Sequence, residues 1–213
     1  MILLVNSANC QVAGFAAATI GWLLSTTSMG LVEWRLWHIS HAPPLLSSLV
    51  CVGMWRVCIH YHDSNKAIFC YHYTYHDNFL PLDICVSQNL LLVATVLGLL
   101  GKASIIFAIR NLYMGILRKT ATCNPFIASG ILYLSASVCI SVAVIWNYHS
   151  VRNEQGIHFP SSFYVPFKPD TQEIGSAFLV AALAAFLMLL SGFIFLSYRV
   201  PLDSQVHPEI AEI

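Results

Sequence analysis

GMWRVCIHYHDSNKAIFC, residues 53–70, lies between two long apolar segments, too polar for lipid and too aromatic for a slack linker. Its cysteines, Cys58 and Cys70, stand on either side of a turn-like Asp63-Ser64-Asn65-Lys66. An antiparallel ladder that pairs them sets Ile59 opposite Phe69, His60 opposite Ile68 and His62 opposite Lys66. That leaves a short loop at Asp63–Asn65, of a length hairpins commonly use. A disulfide across a ladder needs Cα atoms roughly 5.5 Å apart, which facing strand positions approach. The stretch reads as a disulfide-stapled hairpin, and such a staple needs an oxidising compartment.

The composition around it is that of a membrane protein. Of 213 residues, 57% are apolar and 9% charged, against roughly 25% charged in a soluble domain. Zero net charge and the lack of a basic arm exclude a nucleic-acid partner. Seven cysteines leave at least one thiol unpaired. Cys51, Cys58 and Cys70 fall in the first loop. Cys10, Cys85, Cys123 and Cys139 fall at or within apolar segments, where free cysteine packs as a small apolar residue.

A spanning helix takes about 20 mostly apolar residues. Four segments qualify, at about 11–32, 84–109, 125–146 and 174–198. Small residues such as Gly14, Gly21, Gly98, Gly101, Ser129 and Gly130 recur in them and let helix backbones approach closely. The expected fold is one domain over 1–213, membrane α-helical: a four-transmembrane left-handed helix bundle carrying a small extracellular antiparallel β-sheet. The first segment lacks a basic n-region and is too long for a signal-peptide core, so it reads as a span. Arg110, Arg118 and Lys119 crowd the short loop after the second span, and Arg199 follows the fourth. The positive-inside rule then puts both termini in the cytoplasm, with loops 33–83 and 147–173 outside and a cytoplasmic tail at 199–213. Lys102, inside the second span, reads as a side chain reaching the cytoplasmic headgroups.

Alternating apolar residues at Leu49–Arg56, Ile59–His62 and Ile68–Tyr75 mark strands of a small sheet. Trp34 at the outer end of the first span, Gly53-Met54-Trp55 19 residues later, and then Cys58 and Cys70 resemble the signature of the claudin family. Gly14-Phe15 and Gly21-Trp22, Ser129-Gly130-Ile131-Leu132-Tyr133-Leu134, and Glu173-Ile174-Gly175-Ser176-Ala177 extend the resemblance over residues 10–198. Asn89-Leu90-Leu91-Leu92 and Cys123-Asn124-Pro125-Phe126 look most like a divergent branch of that family. Met54 replaces the usual leucine, the hairpin is longer than usual, and Gln88 stands where most claudins carry an arginine. Cys51 is an extra cysteine beside the staple.

The resemblance implies a structural and adhesive tight-junction protein, anchored in the plasma membrane, that forms or modulates paracellular barriers or ion-selective pores through its first outer loop. It implies claudin-like partners in the same and opposing membranes, and no cofactor. Asp63, Lys66, Asp77, His60 and His62 are the candidates to face the paracellular space. From Glu33 to Asp83 the loop has four acids against Arg35, Arg56 and Lys66, a balance that sets no ion preference. Six of nine histidines lie in this loop, among them His60 and His62 on one strand face. These histidines are read as structural or incidental, with pH-dependent permeability, since imidazoles change charge between pH 5 and 8, and zinc binding as the alternatives; their spacing completes no four-ligand zinc set.

The second outer loop carries Phe159-Pro160, Phe163-Tyr164 and Pro166-Phe167, which suit a rigid adhesive loop or an interfacial aromatic belt. The chain ends Ala211-Glu212-Ile213, a weak match to a PDZ-binding terminus. Cys-x-x-Cys, His-Glu-x-x-His and phosphate-loop motifs are absent, so the sequence is not read as an enzyme. The alternative is a claudin-fold regulatory subunit or a non-polymerising adaptor, like the calcium-channel gamma or peripheral-myelin relatives.

Overall fold

Apolar runs that rise 1.5 Å per residue, long enough to cross about 30 Å of hydrocarbon, set the architecture. The computed structural model describes residues 2–41, 46–61, 67–74, 77–113, 125–163 and 165–197. Helix α1 runs Ile2–Gly30, α2 Leu82–Tyr113, α3 Pro125–Arg152 and α4 Ser176–Leu196. Each contains a stretch apolar enough to cross a membrane: Asn9–Gly30, Leu82–Arg110, Pro125–Arg152 and Ser176–Leu196. The helices form a ring in which α1 packs on α4 and α2, and α3 on α2 and α4.

Inside the bundle, Ala18, Leu91, Ala94, Tyr133, Ala136, Ile140, Ala181 and Met188 are fully buried. Ile20, Val96, Phe107, Ile145 and Phe186 point outward. Apolar residues all round are what a helix needs when its outer solvent is lipid. Ser137 donates to the Ala185 carbonyl at 2.8 Å and ties α3 to α4, a polar contact of the kind that holds helices together in lipid.

Helix α3 differs from the sequence reading in its extent. It continues past Trp146 to Arg152, so the second loop begins after Arg152 and not at Asn147. The reason is tertiary: Asn147 and Ser150 are buried, and packing against the sheet extends the helix beyond its apolar run. Lys102, read as reaching toward the headgroups, has its Nζ 3.7 Å from the centroid of the Trp22 ring. Side chains on a helix lean toward its N-terminus, which here is the end nearest the sheet, and a cation over an indole face is attractive.

A five-stranded antiparallel sheet caps one end of the bundle. Its strands are β1 (Arg35–His41), β2 (Leu46–Val52), β3 (Arg56–Tyr61), β4 (Ala67–His72) and β5 (Thr171–Ile174), in the order β4-β3-β2-β1-β5. Strand β1 precedes the first stretch read as a strand, and β5 brings the second loop into the sheet; the alternation found in the sequence marked neither. The expected strand Leu49–Arg56 is broken at Gly53-Met54-Trp55, where the chain turns from β2 to β3.

The hairpin register is also corrected. Cys58 faces Cys70 and Ile59 faces Phe69, but His60 faces Ala67 and not Ile68, because the register shifts between Ile59 and His60. One extra residue on β4 absorbs the shift, as in a β-bulge. The proposed pair of His62 with Lys66 lies outside the described residues.

Facing residues share a side of a sheet, so the pairings define two faces. The inner face carries Arg35, Trp37, Val50, Val52, Val57, Ile59, Phe69 and Tyr71. The outer face carries Leu36, His38, Leu49, Cys51, Arg56, Cys58, His60, Cys70 and His72, with Thr171 and Glu173 from β5.

Candidate functional site

The sheet is joined to the bundle through Trp34, Arg35 and Gly53. Trp34 is 1% exposed, and its Nε1 donates to the Ser28 carbonyl at 2.8 Å, locking the end of α1 to the start of β1. Burying an indole is worth roughly 4–6 kcal/mol of transfer energy as an upper bound. Gly53 explains the glycine of the signature. A Cβ there would stand 2.8 Å from Val32 Cα and 2.9 Å from the Leu31 carbonyl oxygen, so the turn fits only by backbone contact. Its N–H donates to the Arg56 carbonyl at 2.9 Å.

Arg35 extends from the inner face into the top of the bundle, and is 1% exposed. Its Nε donates to Asn147 Oδ1 at 2.7 Å and its Nη2 pairs with the Asp83 carboxylate. Ser150 is fully buried at the same end of α3. One guanidinium thus ties β1 to the start of α2 and the end of α3. Tyr73 packs close enough for the Arg35 charge to favour its ionised form, yet burial dominates and pushes its phenol up. Nothing in the sequence reading singled out this cluster.

Gln88 belongs to the same junction. It is buried, and its side-chain amide donates to the Met54 carbonyl. Gln88, read as standing where the resembled family carries an arginine, therefore lies beneath the sheet and not on its outer face. Met54 itself is 1% exposed. Trp55 is half-buried beside it, and its carbonyl accepts from the Tyr73 N–H at 2.9 Å.

The inner face of the sheet is filled by rings. Trp37 meets Phe159 edge-on at 5.6 Å between centroids; Phe163 contacts Phe69 at 5.3 Å and Tyr71 at 5.2 Å. Phe79 bridges Phe159 and Phe163. The second-loop aromatics read as adhesive or interfacial are therefore packing residues here: Phe163 is buried and Phe159 half-buried. Phe167 stays exposed, stacked on His158 at 4.0 Å. Tyr164 lies outside the described residues.

The Cys58–Cys70 disulfide closes the β3–β4 hairpin. On the outer face His38 and His72 are exposed, and His60 and Arg56 half-exposed. His38 Nε2 lies 3.8 Å from Glu173 Oε2 across the β1–β5 pair. Asp77 closes the turn after β4, accepting from Tyr71 Oη at 3.2 Å and from the Thr74 N–H at 2.6 Å. Asp63, Lys66 and His62, like Ala211, Glu212 and Ile213, lie outside the described residues. Among the described residues, no three His, Cys, Asp or Glu side chains converge as a metal site.

The sheet meets α4 at Gly175. Its N–H donates to the Trp34 carbonyl at 3.2 Å, the Ala177 N–H donates to the Glu33 carbonyl at 3.0 Å, and Ser176 donates to the Glu33 carboxylate. These contacts satisfy backbone donors that a helix start leaves open.

A sheet pinned by Trp34, Gly53 and a cysteine staple onto four spans is matched by one family model, described as PMP-22/EMP/MP20/Claudin tight junction, over residues 19–197. The chain belongs to this family. Similar curated proteins are claudins. The chain is 25% identical to claudin-3 of the dog, Canis lupus familiaris, over 206 residues, covering 95% of this chain and 88% of that one. It is 26% identical to claudin-1 of Mus musculus over 208 residues, covering 95% and 91%. Human claudin-4 is 25% identical over 191 residues, covering 87% and 84%. The protein is thus a multi-pass, tight-junction type of membrane protein with a structural and not an enzymatic role.

Proposed function

We propose that this claudin is a structural and adhesive subunit of tight-junction strands, which forms or tunes a paracellular barrier or pore through its first outer loop. Both termini lie in the cytoplasm and the sheet stands in the space between cells. Its partners are other claudin subunits in the same and the opposing membrane, and the lipid around it; a PDZ scaffold at Ala211-Glu212-Ile213 is a weaker addition. The reading is carried by the outer face of the sheet, where ionisable side chains from three strands of the first loop and one of the second, His38, His60, His72 and Glu173, are presented away from the bundle, while Arg56 turns back to the Gly30 carbonyl at the end of α1. Fixed and switchable charges along a narrow aqueous path set which ions pass.

Expressed in fibroblasts that lack junctions, the protein is expected to form strands at cell contacts by freeze-fracture or super-resolution imaging. A diffuse membrane signal at contacts would overturn strand formation. It would favour the second reading, a regulatory subunit or non-polymerising adaptor of the calcium-channel gamma or peripheral-myelin kind. One observation supports that alternative: the rings of Phe159 and Phe163 turn inward, which leaves Phe167 as the exposed aromatic of the described second loop.

The outer face carries His38, His60 and His72, and histidine is the side-chain type suited to a charge switch near physiological pH. In an epithelial monolayer, expression should change transepithelial conductance more at pH 6 than at pH 8. Equal effects at the two values would remove the histidines from the permeation mechanism.

A further inference from the structure

Cys51 on β2 faces Cys58 on β3, and Cys58 faces Cys70 on β4, so three cysteines stand in one row on the outer face. Their surroundings differ. Cys51 and Cys58 are each 4% exposed, whereas Cys70 is exposed on β4, the outermost strand of the sheet.

The ladder fixes how far apart they are. A residue in an antiparallel strand directs its N–H and C=O to the same side, so a close pair with one neighbour implies a wide, doubly hydrogen-bonded pair with the other. Cys58 and Cys70 have Cα atoms 4.1 Å apart, the close kind. Cys58 and Cys51 therefore form the wide kind, with Cα atoms roughly 5.5 Å apart. That Cα separation suits a disulfide, and the Cβ atoms, about 5.5 Å apart in a pair of the wide kind, need to draw together by about 1 Å to reach bridging distance. Cys58 is thus placed to bridge either neighbour. Cys51 and Cys70 flank Cys58 from its two neighbouring strands on that face.

We propose that Cys51, Cys58 and Cys70 form a thiol–disulfide relay, in which the bridge migrates from Cys58–Cys70 to Cys51–Cys58 and frees the Cys70 thiol on the exposed edge strand. The Cys51 thiol loses its proton and the thiolate attacks Cys58 Sγ. The Cys51–Cys58 bond forms as the Cys58–Cys70 bond breaks, and the electron pair leaves on Cys70 Sγ, which takes up a proton. One disulfide and one thiol remain, so no oxidant or reductant is consumed. The product differs from the starting state in having its reactive thiol at the sheet edge instead of inside it.

The charged and titratable groups around Cys51 are Glu33 before β1, Glu173 on β5, His38 on β1, and Arg56 and His60 on β3. Burial, with the Glu33 charge adding to it, pushes the Cys51 thiol up to about 11. Thiolate is scarce at neutral pH, so the Cys58–Cys70 pairing persists and migration is slow. Below that value each unit of pH changes the thiolate fraction, and with it the rate, about tenfold.

The full-length protein in detergent micelles, held in iodoacetamide at pH 7.5 and 8.5, tests the relay by mass-spectrometric mapping. Carbamidomethyl-Cys70 should accumulate together with a Cys51–Cys58 linked peptide, about tenfold faster at the higher pH. The Cys51→Ser variant should keep Cys70 unlabelled. A Cys70 that stays unlabelled in the wild-type protein overturns the proposal, as does a Cys70 labelled equally fast in Cys51→Ser, which would mean opening without exchange. A Cys70→Ser variant gives a separate readout: it should carry a Cys51–Cys58 bridge, and two free thiols there would also overturn the relay.

Discussion

Replacing Arg35 with alanine should cost about 3–5 kcal/mol, because it leaves the Asp83 carboxylate buried without its cation. The single guanidinium serves two elements at once, Asp83 at the start of α2 and Asn147 near the end of α3. Its loss should lower the thermal midpoint in detergent by on the order of 10 °C, at about 2–4 °C per kcal/mol, and reduce the fraction of protein at the cell surface. Arg35→Lys should fall between, since one ammonium cannot reproduce a fork that reaches two partners in fixed directions. The double variant Arg35→Met with Asp83→Leu separates the cost of an orphaned charge from the worth of the pair. Recovery of most of the lost stability would show that the pair does not hold the sheet down by itself, and that burial of Trp34 and Trp37 does. No recovery would assign the anchoring to the ion pair.

That cluster also marks the limit of what the chain discloses as a sequence. The four spans were legible because each is an apolar run of about 20 residues, which lipid requires and few other settings tolerate. The hairpin was legible from Cys58, Cys70 and the turn residues between them. Strand β1 was not. Trp37 and Ile39 alternate with His38 and Ser40, but two buried residues in a polar stretch ahead of a proline pair give too short a pattern to separate from a loop. Strand β5 has four mostly exposed residues and no alternation at all; it is a strand because β1 offers an edge. Arg35 and Asp83 are 48 residues apart, and neither residue type carries a mark of its partner. Gln88 reads as a departure from the resembled family, while its burial under Met54 does not show, because a polar side chain at a helix start reads as surface. The outer-face candidates split for a related reason: Asp77 is taken up by the turn it closes, whereas Glu173 joins the face from a second loop that the spacing of the first cannot reveal.

Among the described glycines the tightest site is Gly175, at the seam between sheet and bundle, and the Gly175→Ala variant should be the most damaging methyl addition among them. A Cβ there would lie 2.0 Å from the Glu33 carbonyl oxygen and 2.5 Å from its carbon. Both are backbone atoms, so no side-chain rotation relieves the overlap. The relief available is to part β5 and α4 from the start of β1, which gives up the bonds from Gly175 to Trp34 and from Ala177 to Glu33. Overpacking of this kind costs about 1–3 kcal/mol, and each lost hydrogen bond adds about 1 kcal/mol. Together they are on the order of the Arg35 effect, from one added carbon. Gly30→Ala is the matched control: nothing lies within 4 Å of its added Cβ, and alanine is the better helix former by up to about 1 kcal/mol. Surface delivery and thermal midpoint should therefore fall sharply for Gly175→Ala and hold or rise for Gly30→Ala. Equal behaviour of the two would mean that the second loop and α4 are not held to β1 in the folded protein, and the outer face would then lose Glu173 and its pairing with His38.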